Sequence, residues 1–224
     1  MTEGRYGVGG RHNQIIDAAA KLFEEKGYEG TSIQDIANEV GILKGSMYYY
    51  IDTKEDLLFS IMQQSHSGAL ALIEEISKLE VDALTRIYAL VKKHVTLFAQ
   101  DHTITSVFFR EFRALSEERS EVIKGAGYAY VLFLNSLILE AQKEGLSSKD
   151  LDSKKATMAA VGMLNAMSFW YKPEGSWTSE EIGNEYAELA VMAIVDDDHL
   201  MEVGGRSSLF KQITEELRVI NFLE

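Results

Sequence analysis

The run from Thr31 to Leu58, TSIQDIANEVGILKGSMYYYIDTKEDLL, constrains this chain more than any other feature. Ile33, Ile36, Ala37 and Val40 keep the three- and four-residue spacing of one helical face. Gly41 then permits a tight turn. Ile42, Met47 and Ile51 resume an apolar face, while Lys44, Gly45, Ser46, Tyr48 and Tyr49 point outward. Two short helices joined at a glycine, with a third starting at once, make a helix-turn-helix. A short helix that displays small residues, a lysine and phenol rings suits a DNA groove.

The neighbouring residues support that arrangement. Residues 11–26 form a first helix with Ile15, Ile16, Ala19, Leu22 and Phe23 on one face, and Gly27 ends it. Tyr28 folds back onto that face. Thr31 is expected to cap the next helix, with Gln34 three residues later completing a capping box. Gln34 has a second reading, in which it reaches a base edge. The hydroxyls of Thr31 and Ser32 lie at a helix start, where a phosphate is electrostatically favoured. Lys44 can donate to guanine acceptors or to phosphate. Gly45 and Ser46 let the backbone come close, and Tyr48 and Tyr49 offer rings to sugars or thymine methyls and hydroxyls to phosphates. Either Asp52 with Glu55 or Thr53 with Asp56 caps the following helix, and Lys54 in its first turn is directed at the same DNA backbone.

In this order the residues closely resemble the amino-terminal domain of the TetR family of one-component transcriptional repressors. The family's small pair, apolar residue and tyrosine correspond to Gly45, Ser46, Met47 and Tyr48, and its Lys-Glu-Asp-Leu helix start to Lys54 to Leu57. Two positions depart from the commonest pattern: Tyr50 and Ile51 stand where histidine and phenylalanine are more frequent. The resemblance implies a base contact at Gln34 and a phosphate clamp at Lys54. It also implies a homodimer on a palindromic double-stranded DNA operator, since one such motif reads only a short half-site. The expected division is a DNA-binding domain over residues 1–53 and a ligand-binding and dimerisation domain over 54–224.

Composition agrees with an all-α fold: one proline, few alternating β-branched runs, and 46% hydrophobic residues, ample for a core. No cysteine is present, which excludes disulfides, thiolate catalysis and cysteine-ligated metals. The amino terminus lacks the apolar core of a signal peptide, and no uninterrupted apolar run reaches the ~18 to 20 residues a membrane span needs. No membrane is therefore expected, and the cytoplasm is the expected compartment. A net charge of -13 opposes DNA binding, and within residues 1–60 six basic side chains face ten acidic ones. Placement outweighs the total: Lys44, Lys54, Arg5 and Arg11 can face phosphates while Glu24, Glu25, Glu29 and Glu39 face away. The acidity predicts weak non-specific binding and a modest salt slope.

Beyond the motif, amphipathic helices are expected over 54–79, 81–100, 103–115, 116–144, 150–171, 179–195 and 207–223, with 196–205 as a loop. The segment AVGMLNAMSFWY, residues 160–171, is apolar and rich in small residues, and an amphipathic helix follows it. Two such helices are what a four-helix dimer interface requires, with Met158, Trp170, Ile182, Tyr186 and Leu189 as candidates. The alternative is that they form the monomer's own core. Surplus methionine and aromatic side chains suggest an inner cavity for varied apolar ligands. This region and REFRALSEERSEVI, residues 110–123, are also similar to TetR-like regulators of fatty acid, phenylacetate and steroid degradation that respond to acyl-coenzyme A thioesters. That similarity implies an acyl tunnel with a charged mouth, for which the sequence offers Arg110, Arg113, Arg119 and Lys124, and an apolar wall of Phe108, Phe109, Phe112, Tyr128, Tyr130 and Phe133, with Gly162 and Phe169 also as ligand contacts. Those cations could equally pair with nearby glutamates. Asn165, polar within an apolar helix, is expected to bond a ligand or to bond across the dimer.

Nothing suggests an enzyme, a cofactor or a metal. There is no glycine-rich phosphate loop, serine elbow or zinc-spaced histidine set; His94 and His102 do not share a helical face, and His12, His66 and His199 are isolated. The alternative effector class is a lipophilic cation, as in multidrug-type repressors. It requires Glu74, Glu140 or Glu188 to lie inside.

Overall fold

The apolar residues collect in two cores, and the expected boundary at residue 53 falls inside one of them. A computed structural model describes residues 8–222. Within them the secondary structure is helical, with one antiparallel bridge between Ser147 and Val195. The helices are α1 Val8–Lys26, α2 Ile33–Val40, α3 Lys44–Met47, α4 Lys54–Ser77, α5 Ala83–Gln100 and α6 His102–Glu111. They continue with α7 Glu117–Glu144, α8 Ser153–Trp170, α9 Ser179–Met192, α10 Asp197–Glu202 and α11 Arg206–Val219, and a single 3-10 turn covers Phe112–Ala114.

The first compact unit comprises the chain up to Ser67 together with Asp101–Gly125. Its core joins Ile15 and Phe23 of α1, Ile36 and Ala37 of α2 and Met47 of α3 to Leu57, Leu58, Ile61 and Met62 of α4. Ile104 and Val107 of α6 and Ile123 of α7 complete it. One long helix and two short ones bury too little apolar surface to stand alone, so the reading domain borrows α4, α6 and the start of α7. A boundary at 53/54 therefore does not coincide with a packing boundary.

The second unit comprises Gly68–Gln100 and Ala126–Glu224. Its axis is α5, whose Leu84, Ile87, Tyr88, Leu90, Val91 and Val95 are buried among α7, α8, α9 and α11. Helix α9 lies close along α5: a Cβ at Gly183 would come within 3.3 Å of the Lys92 carbonyl oxygen. The small residues of α9, Gly183, Ala187 and Ala190, are thus explained by packing inside the monomer. Among the described helices, α7 alone has the length and mean hydropathy (1.5) of a membrane span. Part of its apolar surface is taken up by the cores, Ile123 in the first and Leu134, Leu137, Ile138 and Ala141 in the second, while Val122, Tyr128, Leu132 and Leu139 are exposed.

Two local expectations are corrected. The loop expected over 196–205 contains α10, because the Asp196 carboxylate accepts from Asp198 N at 3.0 Å and caps a helix. The second helix of the motif is only four residues long, and Tyr48, Tyr49 and Tyr50 follow it as turns, with Tyr50 N bonded to Met47 O at 2.8 Å. Gly45 and three consecutive aromatic residues are weak helix formers, and Met47 and Ile51 are both drawn into the core.

Candidate nucleic-acid interface and ligand-facing residues

Helix α2 is capped by Ser32, one residue later than expected. The Ser32 hydroxyl oxygen accepts from Asp35 N at 3.2 Å, and Asp35 Oδ2 accepts from Ser32 N at 2.8 Å. The Ser32 hydroxyl also donates to Asp35 Oδ2 at 2.5 Å, and this bond, with that from Ser32 N, holds the Asp35 carboxyl below the usual carboxylate range. The capping box is therefore Ser32 with Asp35, not Thr31 with Gln34. Thr31 is 2% exposed, and its hydroxyl is directed at the carbonyl oxygens of Gly27 (2.8 Å) and Leu22 (3.1 Å). Its side chain is spent on closing the end of α1, so it does not belong among groups that reach DNA. Gln34, freed from capping, lies exposed on α2 with its amide bonded to Asn38 Oδ1 at 2.8 Å.

Gly41 takes the left-handed conformation at φ 73° and turns the chain into α3. Met47 is fully buried and anchors that helix, which leaves Lys44, Gly45, Tyr48 and Tyr49 exposed and Ser46 half-exposed. A Cβ at Gly45 would meet nothing within 4 Å. Lys44 makes no ion pair among the described residues, whereas Lys21 is held by Glu39 at 2.9 Å. Leu43, unremarked in the sequence, is 79% exposed at the start of α3. Its signal was a second apolar residue directly after Ile42, one more than the buried face can hold. An apolar side chain there can meet a thymine methyl. Arg5 lies outside the described residues, and Arg11 bonds Gln14 within α1.

Lys54 is used differently from the expectation. Its ammonium donates to Tyr28 O at 2.7 Å and Thr31 O at 3.0 Å and lies 4.1 Å from the centre of the Tyr28 ring. It ties α4 to the α1–α2 connection. The cap of α4 is Thr53 with Asp56, the second of the two alternatives: Asp56 Oδ2 accepts from Thr53 N at 2.6 Å and Asp52 N at 2.9 Å. Arg119 of α7 also donates to Asp56. Partial burial works to raise the Asp56 carboxyl, but the bonds from Arg119, Thr53 and Asp52 outweigh it and hold the group below its ordinary value.

The ten expected ligand contacts do not form one group. Phe108, Phe109, Arg110, Phe112 and Arg113 belong to the first unit. There Phe108 makes ring contacts with Phe109 (5.1 Å), Phe112 (5.8 Å) and His66 (5.1 Å). Arg110 donates to Glu24 O at 2.8 Å. Lys124 pairs with Glu121 and Arg110 lies 3.8 Å from Glu111, as the nearby-glutamate alternative had it, whereas Arg119 pairs with Asp56 and Glu55, distant in sequence. Tyr130, Phe133, Gly162, Asn165 and Phe169 belong to the second unit, and the last three need correction. Met158, Gly162, Asn165 and Phe169 recur along one stripe of α8, and all four are exposed, Phe169 at 89%. They face out of the monomer, so they do not wall an inner cavity. Of the expected dimer residues, Ile182 is only 6% exposed, in the monomer's core, whereas Met158, Trp170 and Leu189 are exposed. Tyr186 is half-buried against Trp170, their rings 6.3 Å apart.

Two interior features go beyond the sequence reading, which expected Tyr130 only as an apolar wall residue. Tyr130 is 6% exposed, and its buried hydroxyl has no hydrogen-bond partner among the described residues. The His94 ring of α5 stands 5.0 Å from it at 61°. Burial alone pushes the His94 imidazole down to about 4 and raises the Tyr130 phenol, so both are neutral at ordinary pH. The second feature is a cleft of about 490 Å³ that contains none of the ten expected ligand residues. It is lined by parts of α4, α5 and the start of α9, with Lys92, Lys93, Glu75, Glu180 and Phe222 at its walls. Lys93 bonds Glu75 at 3.3 Å and lies over the Phe222 ring, and burial lowers the Lys92 ammonium.

Similarity to known proteins accords with this geometry. The chain is 27% identical over 189 residues to the fatty acid metabolism regulator protein of Bacillus subtilis, covering 82% of this chain and 95% of that protein. It is 26% identical over 193 residues to the transcriptional repressor KstR2 of Rhodococcus jostii, covering 83% and 91%. The structure of AibR in complex with isovaleryl coenzyme A and operator DNA superposes with a TM-score of 0.72 at 26% identity, covering 80% of this chain and 97% of AibR. Residues 15–61 match the bacterial regulatory proteins of the tetR family, and residues 80–194, just over half of the 224, match the tetracyclin repressor-like C-terminal domain. With a capped helix-turn-helix at one end and that helical domain at the other, the chain belongs to the TetR family of helix-turn-helix transcriptional repressors.

Proposed function

We propose that this chain is a homodimeric repressor that occupies a palindromic operator and is released by a small hydrophobic effector, an acyl-coenzyme A thioester. The observation that carries the DNA half is the outward set on α3 and the turn after it. Lys44, Gly45, Ser46, Tyr48 and Tyr49 stand free around a fully buried Met47, with Ser32 and Gln34 exposed on α2. A donor-rich, aromatic face held by one core anchor supports entry into a major groove. Dimerisation is supported by the exposed apolar stripe of α8 and by Leu189 of α9, which a second copy would cover.

The effector class is supported by the relatives. AibR binds isovaleryl coenzyme A, and the Bacillus subtilis relative is named for fatty acid metabolism. No observation favours a lipophilic cation. The acids that reading needs are spent near the surface, Glu74 on Lys78, Glu140 on Arg86 and Glu188 on Arg206. Release follows if the thioester binds the off-register arrangement of the two DNA faces more tightly than the operator-bound one.

The test has two arms. Random duplexes selected on the purified protein should converge on an inverted repeat, and anisotropy on that repeat should show release by thioesters. Melting temperatures should rise with acyl-coenzyme A and not with lipophilic cations. Selection without an inverted repeat would sink the operator assignment. A rise with cations alone would move the effector to the multidrug class.

A further inference from the structure

Buried hydroxyls in folded proteins are nearly always bonded, and an unpaired one costs stability. Tyr130 breaks that rule in the second unit: its hydroxyl has no accessible surface and no protein partner among the described residues. Beside it, 5.0 Å away between ring centres, is the imidazole of His94, which keeps some accessible surface although it belongs to the most enclosed helix of that unit. The surroundings are apolar: Leu90, Val91, Phe98, Leu134, Leu164 and Met167 share the same core. The other buried polar side chains of this unit, Thr85, Ser147 and Thr157, all have hydrogen-bond partners, and an unpaired hydroxyl beside an imidazole in apolar company is expensive to retain unless the two bond something that enters.

We propose that His94 and Tyr130 together hold a carbonyl oxygen of the effector, each donating one hydrogen bond to it. The inference rests on the effector reading above and narrows it. Both groups are neutral donors, and no cation is paired with either, so the oxygen they suit is uncharged. A thioester carbonyl fits. A carboxylate does not, because its charge would be buried without a counter-ion. The pair therefore selects an acyl thioester over the free fatty acid of the same chain length, and it does so through the carbonyl and not through the coenzyme.

The experiment compares probes that differ only at that oxygen. Butyryl-, decanoyl- and hexadecanoyl-coenzyme A and the matching S-alkyl thioethers, which lack the carbonyl, are titrated calorimetrically into the full chain and into Tyr130→Phe and His94→Leu. In the parent chain the best thioester should bind about tenfold more tightly than its thioether, the worth of one or two buried hydrogen bonds. Each substitution should weaken the thioester by about that factor and leave the thioether unchanged. Tyr130→Phe without ligand should melt at or above the parent temperature, since it removes an unpaired hydroxyl. Equal binding of thioester and thioether by the parent would overturn the pair and leave the effector class standing. So would substitutions that weaken both probes alike, or a Tyr130→Phe chain that melts lower without ligand. If no thioester binds the parent at all, the effector class and the pair fall together.

Discussion

The exposed aromatic side chains around α3 and on α8 differ in what accompanies the rings. Around α3, Tyr48 and Tyr49 stand with an unpaired Lys44 and the Ser46 hydroxyl. On α8, Phe169 and Trp170 stand with Met158, and apart from Asn165 the stripe has little to bond a polar partner. Water tolerates the first face, because its hydroxyls and ammonium remain hydrated until phosphate or base edges replace the solvent. The second face loses free energy in water, roughly 1.5 to 3 kcal/mol for a phenylalanine left uncovered, and only another apolar surface recovers it. Exposure alone therefore does not identify a partner; the polar company of the exposed ring does.

The largest expected effect comes from removing the anchor of the first face. Met47→Ala should destabilise the first unit by about 2 to 5 kcal/mol, through a cavity under α3, and abolish operator binding while leaving the oligomer intact. Chemical unfolding, anisotropy and sedimentation check the three parts. Binding that survived would show that α3 does not need its anchor and would detach the outward set from the DNA role. Next, Phe169→Glu puts a charge on the second face and should convert a dimer into monomers by sedimentation while the melt of the monomer's own helices persists. An unchanged dimer would place the interface elsewhere.

Lys44 and Lys54 give a finer contrast within the first unit. Lys44→Ala should cost about 1 to 3 kcal/mol of operator affinity and leave the melting temperature alone. Lys54→Ala should do the reverse: it releases the carbonyls of Tyr28 and Thr31, lowering stability by about 1 kcal/mol, and leaves the salt slope of binding unchanged. A salt slope reduced by about one for Lys54→Ala would restore it as a phosphate contact. The smallest effect concerns pH. The folded His94 refuses protons until about 4, whereas in the unfolded chain it accepts them below its ordinary 6.5. Its contribution to stability is therefore complete above pH 6.5 and declines as pH falls toward 4. His94→Leu should flatten that part of the stability profile, and a profile parallel to the parent's would show that His94 is not buried in the native chain.

The motif residues were legible because they depend on near neighbours. Helical spacing of Ile33, Ile36 and Ala37, a glycine at 41 and an apolar Met47 determine which side chains face outward whatever the rest of the chain does. Errors arose where the answer depends on residues distant in sequence. Thr31 and Ser32 are chemically equivalent caps, and the choice was made by the carbonyl oxygens of Gly27 and Leu22 at the end of α1, which take the Thr31 hydroxyl. Lys54 looked free because its acceptors lie more than twenty residues earlier. In α8 and α9 the periodicity showed that a helix has an apolar side without saying whether α5 or another chain covers it. Ile182 went to α5, and Phe169 was left in solvent.

By itself, then, the sequence determined the all-α class, the helix-turn-helix and the side chains it shows, since these follow from spacing, caps and turn residues within a few positions. Tertiary structure decided the boundary of the reading domain, the carbonyl partners of Lys54, the outward stripe of α8 and the meeting of His94 with Tyr130. Those outcomes are contacts between elements far apart in the chain, and periodicity measures a helix's own faces, not the identity of what packs against them.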